Sequence, residues 1–195
     1  MREVELKAVL DSWAGRRATL MKAGGSIVFA GRLEDRRYDT ADRALMARDI
    51  VLRLRIYRDE RSTRTELEYK GPTGYERGYK VREEIGSTVS DPDAIEMILS
   101  GLGYTVLRAI DRDIEQFEIA NTVVRFERYP RMDELVEVEG EPESIERAIA
   151  LLGMPRAAFT AERLPDFAAR FEARTGSRAA LCDADLTSPS TTLGS

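Results

Sequence analysis

The chain contains no histidine, which excludes imidazole metal sites, imidazole general bases and phosphohistidine intermediates together. Its one cysteine, Cys182, has no partner for an internal disulfide and lies close to the C-terminus. No run of about 18 apolar residues is present, so no segment reads as a membrane-spanning helix. The opening residues, Met-Arg-Glu-Val-Glu-Leu-Lys, carry charge where a secretion signal carries an apolar block. A cytoplasmic protein without a membrane partner is expected. A net charge of −5 gives no general attraction for nucleic acid, and no nucleic-acid partner is expected.

What is abundant is charge of both signs. Charged residues make up 33% of the 195 positions beside 43% hydrophobic ones, with 30 basic and 35 acidic side chains. Typical domains carry about 25% charge. The length suits one domain with a substantial core.

The charge falls on segments of period-two alternation, the mark of strands. Eight strands are expected, at 2–9, 25–31, 51–57, 64–70, 79–85, 105–118, 121–129 and 134–140. In the first, Glu3, Glu5 and Lys7 share one face and Val4, Leu6 and Ala8 the other. Arg53 and Arg55 oppose Leu52, Leu54 and Ile56; Arg64, Glu66, Glu68 and Lys70 oppose Thr65, Leu67 and Tyr69. Lys80, Arg82 and Glu84 are aligned, as are Arg125 with Glu127 and Glu137 with Glu139. An ordinary solvated sheet face carries many Thr, Ser and Gln, and here these are scarce. If the sheet closes, the charged faces become the lining of a polar tunnel.

Helices are expected at 12–23, 91–101, 141–153 and 163–174. Asp91-Pro92 supplies an N-cap and a proline at the first helical position, and Gly153 ends the third of these helices. That helix has Ile145, Ala148, Ile149 and Leu152 on one side, suited to covering the barrel's apolar outer face. From Gly176 the composition turns to Ser, Thr, Ala and Gly, so residues 1–175 are expected to form one domain and 176–195 a disordered tail. Trp13, Phe29, Tyr38 and Tyr104 are expected to pack rather than stack on a base, and Asp39 and Asp42 to serve turns or caps.

Carboxylates converging without histidine or cysteine select hard cations, Mg²⁺ or Mn²⁺. Converging Lys and Arg bind phosphate oxygens. Like charges crowded in a desolvated space repel, so a metal for the acids and a polyphosphate for the bases relieve each other.

Glu3-Val4-Glu5-Leu6-Lys7 matches the ExExK signature of the CYTH superfamily, the triphosphate tunnel metalloenzymes. Val51-Leu-Arg-Leu-Arg55 resembles that family's LRLR strand, and Tyr69-Lys70-Gly71-Pro72 its YKGP turn. Lys80 to Glu84 resembles its basic strand, and Glu127 to Glu139 the segment that ends in ExE. The motifs occur in the family's order and cover roughly residues 1–173.

The resemblance implies an α+β fold, an eight-stranded antiparallel tunnel with helices on its outer face. It implies metal ligation by Glu3, Glu5, Glu127, Glu137 and Glu139, with glutamate at 127 where the family usually has aspartate. It implies phosphate binding by Lys7, Arg53, Arg55, Lys70, Lys80, Arg82, Arg112 and Arg125, with Ile114 in place of a second basic residue. Catalytic roles are expected for Glu3, Glu5, Arg53, Arg55 and Arg82, and Glu5 is a candidate to activate water. A triphosphatase acting on a small-molecule triphosphate, as monomer or homodimer, is the expected activity. The alternatives are a class IV adenylate cyclase and a non-catalytic polyphosphate-binding module. Phe167 falls where relatives carry tyrosine on a plug-like helix.

Overall fold

The computed structural model describes residues 2–187. The strands are β1 (Arg2–Val9), β2 (Ser26–Thr40), β3 (Val51–Arg58), β4 (Thr63–Lys70), β5 (Gly74–Glu76), β6 (Tyr79–Val89), β7 (Tyr104–Ile119), β8 (Thr122–Arg128) and β9 (Leu135–Gly140). The helices are α1 (Trp13–Lys22), α2 (Ala44–Ala47), α3 (Pro92–Gly101), α4 (Pro142–Leu152), α5 (Leu164–Thr175) and α6 (Ala184–Thr187). None of the described helices is long and apolar enough to cross a membrane.

Neighbouring strands run β1-β9-β8-β7-β2-β3-β4-β6, and β6 pairs back onto β1. Eight antiparallel strands therefore close into a barrel, and β5 adds a ninth on β6 outside the ring. Closure removes the exposed edges of an open sheet and gives it an inside.

The two faces separate apolar from charged side chains. Val4, Leu6, Ala8, Val124, Phe126, Val136 and Val138 point outward into one cluster with Ile145, Ala148, Ile149 and Leu152 of α4 and Leu20 of α1. The expected role of residues 141–153 is thus observed. Asp91 caps α3 by accepting from Ala94 N at 3.0 Å, and Gly153 ends α4 in the left-handed conformation at φ 72°. On the opposite side, Tyr38, Leu54 and Leu99 of α3 form a second outer cluster that takes in Tyr104.

Backbone geometry sets the closure points. Ala120 and Asn121, with φ of 52° and 58°, make a two-residue turn between β7 and β8, twisted to suit the strands. At Gly31 a Cβ would lie 2.2 Å from the Arg58 carbonyl oxygen, so only glycine lets β2 pass the end of β3.

The strand at 25–31 continues to Thr40. Over 32–37 charge occupies both faces, which erases the period-two contrast, and pairing to β3 and β7 holds the segment extended. The expected tail also differs. Arg131 N donates to Ala180 O at 3.1 Å, Asp111 N to Leu181 O at 2.8 Å, and Ala179 to Cys182 are buried. The short apolar run Ala179-Ala-Leu-Cys182 is what draws residues 176–187 onto the barrel. The remainder of the expected tail, 188–195, lies outside the described residues.

Phe126 is fully buried, with its ring edge-on to Trp13 at 5.4 Å and tilted against Phe117 at 5.1 Å. Phe126→Ala is expected to lower the free energy of unfolding by about 3–5 kcal/mol in chemical denaturation. Met97→Ala, at a side chain 76% exposed, should change it by less than ~0.5 kcal/mol.

Candidate active site

Inside the barrel, toward the ends of β2 and β4 and the starts of β3 and β7, lies a cavity of ≈ 370 Å³. Lys7, Arg53, Arg55, Lys70, Lys80, Arg82 and Arg112 line it, with Glu5, Glu127 and Glu137. Leu33, Tyr57 and Ile114 share the inward face with Arg112 and Glu127 and form an apolar plug with Phe29. Ile114, where a second basic residue was expected, is part of that plug.

Charge enclosed by a barrel must be paired, because desolvating a lone ion costs several kcal/mol. Asp35, with no exposed surface, is the centre of one network. Arg112 Nη1 meets its carboxylate at 2.8 Å, Arg55 Nε at 3.0 Å and Arg53 Nη1 at 3.5 Å. Burial acts to raise its pKa, but the three guanidiniums win and hold it well below the usual carboxylate range. Arg53 also meets Glu68 at 2.6 Å, and Arg112 meets Glu127 at 2.9 Å. Tyr129 OH donates to the other oxygen of Glu127 at 2.7 Å.

The second network joins β1, β6, β8 and β9. Lys7 Nζ bonds Glu137 and lies 2.9 Å from Glu5; Lys80 Nζ also bonds Glu5. Arg125 Nη1 meets Glu137 at 2.7 Å and its other nitrogens meet Gln116. Despite burial, the lysines keep Glu5 well below its ordinary pKa, and Lys7 and Arg125 bring Glu137 down to about 2. Arg82 donates to the backbone oxygens of Gly71 and Asp49, each at 2.6 Å, so the Tyr69-Lys70-Gly71-Pro72 turn and this guanidinium support each other.

A third group is acidic. One carboxylate oxygen from each of Glu3, Glu84 and Glu139 lies within 4.8 Å of the others. Glu3 Oε2 is buried without a hydrogen-bond donor, while Oε1 accepts from Lys70 Nζ at 2.5 Å. Burial, opposed by Arg125 and Lys70 and aided by Glu137 and Glu3, pushes Glu139 up to about 7, and Glu84 is raised as well. An all-oxygen set of crowded acids with an unsatisfied buried oxygen fits a hard divalent cation. The group adjoins the cavity through Lys70, which lines the cavity and bonds Glu3.

Of the five glutamates read as metal ligands, Glu3 and Glu139 converge, joined by Glu84. Glu5, Glu127 and Glu137 stand instead in ion pairs on the cavity wall. Of the eight basic residues read as phosphate binders, seven line the cavity. Arg125 is buried on the inward face of β8, outside the cavity lining, and anchors Glu137. Phe167 packs with Ile110, Tyr129, Leu135 and Leu181 rather than facing the cavity, and Asp39 caps α2 by accepting from Leu45 N and Met46 N at 2.9 Å.

Asp35, Arg37 and Arg108 were not singled out from the sequence. Arg108 was within reach, since it lies two inward positions before Arg112 on a strand that was recognised. Asp35 and Arg37 lay beyond the expected end of their strand.

Related structures share this barrel. A candidate adenylate cyclase from Vibrio parahaemolyticus superposes with a TM-score of 0.71 at 18% identity, over 85% of this chain and 96% of its own. A Pyrococcus horikoshii protein gives 0.66 at 22% identity, covering 83% and 94%. A Hippeastrum protein, described as a candidate adenylyl cyclase with a dominant triphosphatase activity, gives 0.61 at 16%, covering 92% and 98%. At these identities the likeness is one of fold. No curated protein matches the sequence significantly. The CYTH domain profile matches residues 1–151, the span that contains all of the strands and every charged residue read as part of the site; the chain belongs to the CYTH family.

Proposed function

We propose that the protein is a divalent-metal-dependent hydrolase that cleaves a phosphoanhydride bond of a triphosphate held in the barrel. One observation carries the reading: a cavity walled by ten Lys and Arg side chains abuts a carboxylate group in which Glu3 Oε2 has no hydrogen-bond partner. A protein that only bound phosphate would have no use for the crowded acids.

Glu3, Glu84 and Glu139 would hold Mg²⁺ or Mn²⁺, and such an ion supplies charge neutralisation and polarisation of phosphoryl oxygens. Arg53, Arg55 and Arg112 are oriented by Asp35, so their remaining N–H groups are aimed before substrate arrives. Positioned donors of this kind stabilise charge that develops on the transferred and leaving phosphates. Lys70 bonds Glu3 in the free protein and would exchange that oxygen for a phosphate oxygen, which links substrate binding to the acidic group. Arg82 is steadied by two backbone carbonyls and keeps its charge available to the ligand. Glu5, held in its charged form by Lys7 and Lys80, is a weak proton acceptor and better suited to positioning those lysines.

A second reading has an observation in its favour. Met46, Ile50, Leu107 and Leu164 give the cavity an apolar side, room for an organic group on the triphosphate. ATP with its ribose hydroxyl as nucleophile, yielding cyclic AMP and pyrophosphate, is the corresponding alternative.

Purified protein incubated with tripolyphosphate, ATP or thiamine triphosphate and Mg²⁺ or Mn²⁺ is expected to release orthophosphate. Cyclic AMP in the chromatogram would establish the cyclase instead, and binding without turnover would leave a binding module. Glu139→Gln should lower turnover by at least about 100-fold at fixed metal, since even outer-shell changes at metal sites cost 10–100-fold. Wild-type turnover that persists unchanged in chelator would defeat the metal assignment.

The same acids set a pH dependence in the metal-free protein. A carboxyl whose pKa is raised on folding binds more protons folded than unfolded, so stability is lost as pH rises through the gap. For Glu139 the gap runs from the ordinary 4.5 to about 7, and Glu84 acts in the same sense. Glu137, lowered to about 2, contributes nothing in that window because it is ionised in both states. Metal-free protein is therefore expected to lose on the order of 2 kcal/mol between pH 5 and 7.5. Added Mg²⁺ or Mn²⁺ should abolish the decline, as followed by denaturant titration at each pH.

A further inference from the structure

Three arginines stand side by side across the barrel wall. Arg108 of β7 pairs with Arg37 of β2, and Arg37 pairs with Arg53 of β3. Like charges directly opposite one another destabilise a sheet. Arg53 is offset by Glu68 and Asp35. Among the described residues, Arg37 and Arg108 form no ion pair, and Arg37 Nε is buried with no hydrogen-bond partner. Burial and the adjacent Arg53 lower the pKa of Arg37 to about 9. The acids two positions to either side of Arg37 in β2 are taken: Asp35 by three guanidiniums, Asp39 by the N-terminus of α2.

The backbone is arranged to aim this pair inward. Arg37 pairs with Arg108 but Tyr38 with Val106, so Leu107 is an extra residue in β7. In an unbroken strand consecutive side chains point to opposite faces. Here Leu107 and Arg108 both line the cavity, as a bulge permits. In the ring of strands β2 lies four places from β1 in either direction, so Arg37 faces the β1 carboxylates from the opposite wall.

The other basic residues of the cavity are each met by a carboxylate or, for Arg82, by backbone oxygens. Arg37 and Arg108 are the two left for a ligand to neutralise. We propose that Arg37 and Arg108 form an additional phosphate subsite, so that this protein prefers linear oligophosphates of four or more phosphates to triphosphates. The inference deepens the triphosphate reading and rests on it.

The test is calorimetric titration of metal-free protein, in chelator, with tripolyphosphate, tetrapolyphosphate, ATP and adenosine 5′-tetraphosphate. Wild-type protein should bind a tetraphosphate about tenfold or more tightly than its triphosphate counterpart, as one charge-assisted contact allows. Preference in the inorganic pair, the adenosine pair or both identifies the source of the chain and supports the subsite in each case. Arg37→Gln and Arg108→Gln should each bring the ratio close to one while leaving tripolyphosphate affinity within about threefold. Equal wild-type affinities, or variants that weaken both members of a pair alike, would overturn the subsite. Failure of wild type to bind any oligophosphate, in chelator and with Mg²⁺ restored alike, would overturn the triphosphate reading itself, so the two failures differ. Unliganded Arg37→Gln should also melt at or above the wild-type temperature, because a repelled charge has been removed. A fall of several degrees in both variants would mark the arginines as structural and defeat the proposal.

Discussion

The pairing of enclosed charge is the constraint on which the rest of this structure depends. Asp35 has no exposed surface, yet it stays ionised because Arg53, Arg55 and Arg112 surround it. Each arginine is in turn held in one orientation by that shared carboxylate. A lone charge at such depth would be expelled or neutralised. The barrel tolerates its interior because acids and bases alternate around it, and the same alternation leaves a cavity ready for a charged ligand.

The apolar outer surface makes this affordable. Outward residues of β1, β7, β8 and β9 bury against α1 and α4, and those of β2, β3 and β4 against α3. Burial of that surface supplies the favourable free energy that an ionic interior cannot. The residues after α5 add a further contact, with Leu181 packed against Ile110 and Tyr129 near the cavity. Where pairing is incomplete, at Glu3 Oε2 and at Arg37, the imbalance has opposite sign on opposite walls. A cation on one side and extra phosphate on the other would settle both.

Much of this was legible in the residues. Strict alternation in β1, β3, β4 and β6 separated the charged from the apolar face, and the absence of histidine restricted the chemistry to carboxylates and cations. Seven of the basic residues read as phosphate binders do line one cavity. The second half of β2 was illegible because Arg32, Glu34 and Arg36 put charge on its outer face while Asp35 and Arg37 put it on the inner one. Without contrast between faces there is no period to detect. Asp35 and Arg37 were lost with it, although both are central to the electrostatics.

By itself, the sequence determined which face of each regular strand is charged, where the α4 helix begins and ends, and that the acids and bases must meet a metal and phosphate or each other. These follow from local periodicity, caps and side-chain chemistry. Only the tertiary structure decided which charges meet. Closure of β6 onto β1 and the register of each pair sorted the expected glutamates into Glu3 and Glu139, gathered with Glu84, and Glu5, Glu127 and Glu137, held in ion pairs. A Coulomb interaction depends on distance between groups far apart in the chain, and barrel shear, which no local pattern encodes, sets that distance.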